Sequence, residues 1–392
     1  MKADRLPSHP ARLFTLLCAS SLTVMAGATI APGLGQMQEH FAGSPTTVKL
    51  VLTLPGLFTA AAAPLAGWLA DRRGRRPVLL AGLLLYALAG TQGLWAGSLP
   101  SLLAGRALLG VAVGMIMTCA TTLLLEYYQG EERRRVLGWQ NAFMSFGGVL
   151  FLSLGGLLAE GLGWRGPFWV YALPLPLAAV AWFQLPEPAR HVPRSRGPAD
   201  READRRLRGF LALLGALAFL HMVVFYYTPV QTPFLLHEMN FHAPRTVAAA
   251  IAIATLCAGL ASLQYGRVRR RLGIGAAFAL AFTLVGLGYG LVSLKTNYLL
   301  VVAGLSLASA GFGLARPNFT AWLNHHVEDA GRARAVALMS SSIFLGQFCT
   351  PFLSAPLIGA FGLAGAFLAS GLVLTAIGFW LAWRERPARR QG

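Results

Sequence analysis

Apolar residues run through this chain in stretches of about 20, separated by short polar turns rich in Gly, Pro and Arg. A helix of that length crosses the hydrocarbon core of a bilayer. The pattern predicts twelve spans. The first six lie at roughly 12–34, 47–70, 77–96, 99–125, 137–160 and 167–185, and the second six at roughly 210–236, 246–265, 273–294, 298–322, 333–358 and 364–383. Continuous apolar runs carrying Gly, with Pro only at bends, suit helices in lipid, where the backbone must bond to itself.

Composition agrees. The 392 residues are 55% hydrophobic and 12% charged, with a mean hydropathy of +0.57. Soluble domains carry about 25% charged residues. A net charge of +18 could suggest nucleic acid. The placement of the arginines excludes that partner, because they cluster in turns between spans. Of 33 Lys and Arg, 27 fall at the two ends and in alternate turns, while Lys49, Arg165, Arg245 and Lys295 lie on the opposite side. By the positive-inside rule both termini are cytoplasmic. The expected location is a bacterial inner membrane, crossed many times. The basic start resembles that of a signal peptide, but the loops alternate correctly with the first span retained. Cys18, Cys119, Cys257 and Cys349 all lie inside spans, far apart, as buried free thiols.

The longest polar stretch, 186–209, reads as a cytoplasmic linker. It separates an N-terminal six-helix bundle, 1–185, from a C-terminal one, 210–392. The halves repeat at an offset of 199 residues. Gly67 meets Gly266, Gly74 meets Gly273, Ala104-Gly105 meets Ala303-Gly304, and Gly114 meets Gly313. Gly163, Gly166 and Phe168 meet Gly362, Gly365 and Phe367. Two six-span halves in parallel repeat predict a transporter, with its substrate site between the halves near the membrane midplane.

Gly67-Trp68-Leu69-Ala70-Asp71-Arg72-Arg73-Gly74-Arg75-Arg76 joins spans 2 and 3. It matches the loop motif G-x-L-A-D-R-x-G-R-R at every defined position. By these residues the chain resembles the major facilitator superfamily, specifically its twelve-span bacterial drug:proton antiporters. The resemblance implies an all-α integral membrane protein with the major facilitator fold, twelve transmembrane helices in two six-helix bundles. The second copy, Gly266–Gly273, replaces the acid with Arg270. In span 4, Leu102, Arg106 and Gly110 match the family's arginine motif, with Leu109 where a glutamine is usual. In span 5, Gly138, Gly147, Gly155 and Gly156 match the antiporter motif, but Phe151 and Leu152 replace its central Gly-Pro pair. That departure leaves the fold unaffected and weakens the inference of export.

The resemblance also implies a conformational latch of Gly67, Asp71, Gly74, Arg75 and Glu126. In it Asp71 faces the amino end of span 11, whose dipole favours an anion, and Arg75 reaches Glu126. The alternative is a solvated turn that only sets orientation. Arg106, inside span 4, is either a cavity charge or a structural cation held by carbonyls of span 1. His221, mid-span 7, is either a carrier of a coupling proton or a packing residue. Arg316 is expected to snorkel to the cytoplasmic interface. Gln140, Asn141, Phe143, Tyr226, Tyr227, Gln231, Asn318 and Gln347 are the uncharged candidates for a substrate cavity. Single polar residues in membrane helices also serve as interhelical glue.

None of the fifteen acids lies at the centre of a span. Exporters of cationic drugs often hold one there, so neutral or anionic amphipathic cargo is expected. No phosphate-binding loop, H-E-x-x-H or paired Cys-x-x-Cys occurs, so neither an enzyme nor a cofactor or metal site is expected. The sequence thus predicts a monomeric secondary transporter working by alternating access. Its expected partners are a small-molecule substrate, protons and the lipid bilayer. The leading expectation is proton-coupled, multidrug-type efflux. Import of a small polar or anionic metabolite is the first alternative, and a non-transporting membrane sensor or assembly partner the second.

Overall fold

The computed structural model describes residues 10–187, 201–327 and 329–385. Most of the expected linker, residues 188–200, and both chain ends lie outside them. The chain divides into two compact units, Met1–Gly197 and Pro198–Gly392. Among the described residues every regular element is helical.

In the first unit the membrane helices are Pro10–Ala28 (span 1), Pro45–Arg73 (span 2), Arg75–Thr91 (span 3), Leu99–Tyr127 (span 4) and Gly130–Leu162 (span 5). Span 6 is a run of 3-10 turns, Gly163–Ala172, followed by Pro174–Gln184. In the second unit Arg201–Phe225 and Tyr227–Glu238 make span 7, broken at Tyr226. Pro244–Ser293 carries spans 8 and 9, Tyr298–His326 is span 10, and Asp329–Arg384 carries spans 11 and 12.

Nine continuous helical stretches among the described residues are long and apolar enough to cross a membrane. Three of them run 50 residues or more: Gly130–Gln184, Pro244–Ser293 and Ala335–Arg384. Fifty helical residues measure about 75 Å, more than twice a bilayer core of about 30 Å. Each of the three is broken by a glycine at positive φ. Gly163 has φ 68°, Gly273 φ 75° and Gly362 φ 69°. Each stretch is therefore two crossings, and among the described residues the spans number twelve.

The repeat read in the sequence has a backbone meaning. Gly74 and its mate Gly273 both take positive φ, as do Gly163 and Gly362. Only glycine does this without strain. Ser98 and Asn297, also 199 residues apart, each accept a backbone N–H in the first turn, of span 4 and span 10. Gly114 lets span 4 approach span 2, since a Cβ there would lie 3.2 Å from the Thr59 carbonyl oxygen. Gly313 does the same for spans 10 and 8 against the carbonyl of Ala258.

Some boundaries differ from expectation. The first helix of span 1 ends at Ala28, and a 3-10 turn, Ala31–Gly33, built around Pro32, and a short helix, Leu34–Phe41, follow. Span 7 begins at Arg201, nine residues inside the expected linker, because 201–209 is made of good helix formers apart from Asp204 and Gly209. Large apolar side chains face outward, among them Phe183, Leu263 and Leu299. Lipid rather than water is the solvent for such a surface.

Candidate functional site

The arginine-rich turn between spans 2 and 3 is set by Gly74, at φ 102° and ψ 156°. Gly74 also stands at the N-cap of span 3, and having no side chain it cannot satisfy the orphan N–H groups there. Glu187 does so from beyond the end of span 6. Its carboxylate accepts from the backbone N–H of Arg75 at 2.7 Å and of Arg76 at 2.8 Å. The helix dipole favours that anion. Arg76 donates to the carbonyl of Trp182 and lies 5.2 Å from its ring centroid. Tyr127 donates to the carbonyl of Pro186 at 2.5 Å. Span 6 is thus clipped to the turn from two sides. Sequence reasoning missed Glu187 by treating it as linker. The available signal was an acid between two prolines just past an apolar span.

On the same turn Arg75 Nη2 lies 2.8 Å from Glu126 Oε1 and 3.7 Å from Asp71 Oδ1. The Arg75 side chain is 11% exposed, Glu126 22% and Asp71 60%. Arg75 is therefore a largely buried cation between one enclosed acid on span 4 and one open acid on the turn. Gly67 has only the Thr118 methyl near its missing Cβ, at 3.9 Å.

Arg106 is 1% exposed. Its Nε donates to the Val51 carbonyl at 2.9 Å, Nη1 to the Tyr171 hydroxyl at 3.1 Å, and Nη2 to the Ala26 carbonyl. These acceptors have a common origin. Pro55 has no N–H to give Val51 four residues earlier, and Ala26 lies in the last turn of span 1, where carbonyls lack helical donors. Arg106 fills vacancies in the backbone of spans 1 and 2 while tying span 4 to span 6. Of its two sequence readings, this geometry is that of the structural cation.

The uncharged candidates separate. Gln140 donates to Ser20 Oγ and Thr121 Oγ1, both at 2.9 Å. Gln231 donates to Ser354 Oγ at 2.8 Å. Asn318 donates to the Ile274 carbonyl at 3.0 Å and accepts from Tyr265 at 2.8 Å. Those three tie helices together. Tyr227 and Gln347 are buried as well. Phe143 meets Phe14 edge-on at 6.0 Å. Asn141 is exposed and Tyr226 half-buried. In span 5, Gly147 and Gly155 face span 1, where a Cβ would meet Ser21 and the Thr29 carbonyl. Gly156 is buried, while Gly138 is exposed with open space around it. Phe151 and Leu152, in place of Gly-Pro, are buried.

His221 is 6% exposed, and three rings surround it. Phe282 lies at 6.0 Å, Phe312 at 5.3 Å and Phe319 at 5.2 Å between centroids. Its Nδ1 is buried without a hydrogen-bond partner among the described residues. No group of three His, Cys, Asp or Glu among the described residues is placed to hold a metal.

The model of the Major Facilitator Superfamily matches residues 16–242 and again 214–392. The chain belongs to the Major Facilitator Superfamily. It is 24% identical over 360 residues to multidrug resistance protein 2 of Bacillus subtilis, covering 88% of each chain. Over 138 residues it is 39% identical to a 4-hydroxybenzoate transporter of Pseudomonas aeruginosa, covering 34% of this chain and 30% of that one. Among solved structures it resembles a bacterial homologue of the human lysosomal transporter Spinster, with TM-score 0.75 and 18% identity over 96% and 97% of the two chains. A D-xylose–proton symporter matches with TM-score 0.75 and 14% identity over 94% and 96%. At such identities the structures speak for the fold alone. This member of the superfamily is a membrane transporter, and a transporter's partner is a small-molecule substrate.

Proposed function

We propose that this transporter exports small amphipathic compounds, neutral or anionic, in exchange for protons, by alternating access. The observation that carries the reading is the Arg75–Glu126 ion pair with Asp71 beside it. A turn that only set orientation would need arginines, and would not need a cation shared between two acids. A charge cluster that can be made and broken is what a protein changing between two states requires. The full-length likeness to a multidrug resistance protein supports the efflux class. The lack of a mid-span acid argues against cationic cargo. His221, buried with an unpartnered Nδ1, is the candidate for the coupling proton. The setting is a bacterial inner membrane, both termini cytoplasmic, with one chain as the working unit.

Import of a small anionic metabolite is the second reading. Phe151 and Leu152 favour it by replacing the antiporter Gly-Pro pair, and so do relatives named 4-hydroxybenzoate transporter and anion transporter.

Inside-out vesicles with an acidified lumen test both readings with a panel of neutral, anionic and cationic compounds. Export predicts lumenal accumulation of neutral or anionic compounds that a protonophore abolishes. Preference for a permanently cationic dye would defeat the charge assignment. Accumulation only in right-side-out vesicles would favour import.

A further inference from the structure

Arg316 lies inside span 10. It lies ten residues before the end of span 10 at His326, about 15 Å along the axis. The residue is exposed, yet Phe312 and Phe319, four before and three after it, are 3% and 4% exposed. Residues at those spacings share a helix face. Both rings pack on His221 of span 7, so this face looks into the bundle and not at lipid. A guanidinium facing acyl chains would be costly, whereas one in a wetted recess is not.

The surroundings are aromatic and lack acid. Phe225 stacks edge-on against Phe312 at 5.2 Å and meets Tyr226 at 5.7 Å. His221 and Phe225, the neighbour of Tyr226, both bring span 7 against Phe312 of this face. Glu238 pairs with Lys295, and Glu385 accepts from Trp322 Nε1 at 3.2 Å. Those are the acids of the second unit with described side chains, and neither reaches this face. Among the described residues Arg316 has no ion-pair partner. His221, packed against Phe312 and Phe319 of the same face, has an Nδ1 without a hydrogen bond among the described residues.

We propose that Arg316, with His221 and Tyr226, forms a cargo subsite in the C-terminal bundle for the carboxylate of an organic monoanion. Phe225 and Tyr226 carry its aromatic body. This rests on the transporter reading above and narrows its cargo class. A guanidinium is permanently charged and its planar fork matches a carboxylate with two parallel N–H···O bonds. A neutral isostere forfeits the charge-assisted part, and a cation is repelled.

The test is equilibrium binding of radiolabelled benzoate to the purified full-length protein in nanodiscs, competed by benzamide and benzylamine. Benzoate is expected to bind about tenfold or more tighter than benzamide, the scale of one charged hydrogen bond. Arg316→Gln should erase that preference, and Arg316→Lys should keep part of it. Absence of benzoate binding by the wild type, or equal competition by all three compounds, overturns the subsite without any variant. So does Arg316→Gln protein, monodisperse and with wild-type melting, that holds benzoate within about twofold. The vesicle panel separates the two readings. If Arg316→Gln moves a neutral amphipath and fails with benzoate, both stand. If the wild type moves a neutral compound and ignores charge, only the subsite falls. If it moves nothing, the export reading falls and the binding result still decides the subsite.

Discussion

Arg75 Nη2 reaches Glu126 Oε1 at 2.8 Å, joining the start of span 3 to the end of span 4 across a turn whose other acid, Asp71, stays 60% exposed. The two acids should therefore respond differently to substitution. Glu126 is enclosed with its cation and contributes to the unit's own packing. Asp71 is open, and an exposed pair of this kind adds little stability.

Asp71→Asn should insert and melt like the wild type while losing transport about tenfold or more, the scale of a 1–3 kcal/mol coupling. Parallel fluorescence melting and vesicle flux would check this. Wild-type flux from this variant would remove Asp71 from any working role.

Glu187→Ala should lower the melting temperature. It strips two N–H groups at the start of span 3 of their acceptor, a loss comparable to an N-cap, about 1 kcal/mol. Glu187→Gln should recover part of the loss, because an amide oxygen still accepts but no longer answers the dipole.

Arg106→Leu should reduce folded yield severely. It leaves the Val51 carbonyl and the Tyr171 hydroxyl without their donor and the Ala26 carbonyl with Tyr171 as its remaining one, and each buried orphan costs about 1–3 kcal/mol. Detergent-extracted, monodisperse protein is the readout. A well-folded Arg106→Leu with altered cargo preference would instead restore the cavity-charge reading.

Gly313→Ala should destabilise more than Gly114→Ala, although the two are repeat mates. The added Cβ at Gly313 runs into the Ala258 carbonyl, while at Gly114 its neighbours lie 3.1–3.2 Å away. Gly138→Ala, with open space around it, should be silent. Melting temperatures of the three variants rank them.

Much of the fold was legible because lipid imposes a one-dimensional rule: about 20 apolar residues make one crossing. The offset of 199 was legible for a related reason. Gly74 and Gly273, like Gly163 and Gly362, mark places where only glycine takes the backbone angle, so the repeat survives in residue identity. Boundaries near Pro32, Gly163 and Tyr226 were less visible, because 3-10 turns and breaks keep the same apolar composition as the helices beside them. The site was legible only in part. The turn motif named Asp71 and Arg75, and the family resemblance added Glu126 at the end of span 4. The polar residues within spans could not be sorted into glue and cavity, because every one of them reads as a polar residue in an apolar run.

By itself the sequence determined the crossings, the repeat, the charge bias and the superfamily, since each is written in residue type and spacing. Tertiary structure alone decided which polar groups are already engaged. Arg106 spends its donors on carbonyls left vacant by Pro55 and by the end of span 1, and Glu187 returns from the far end of span 6 to cap span 3. Asn318 is bonded on both sides, while Arg316, two residues earlier on the same helix, is exposed. A hydrogen bond between residues scores or hundreds apart leaves no local trace in the chain, because its partner is chosen by packing.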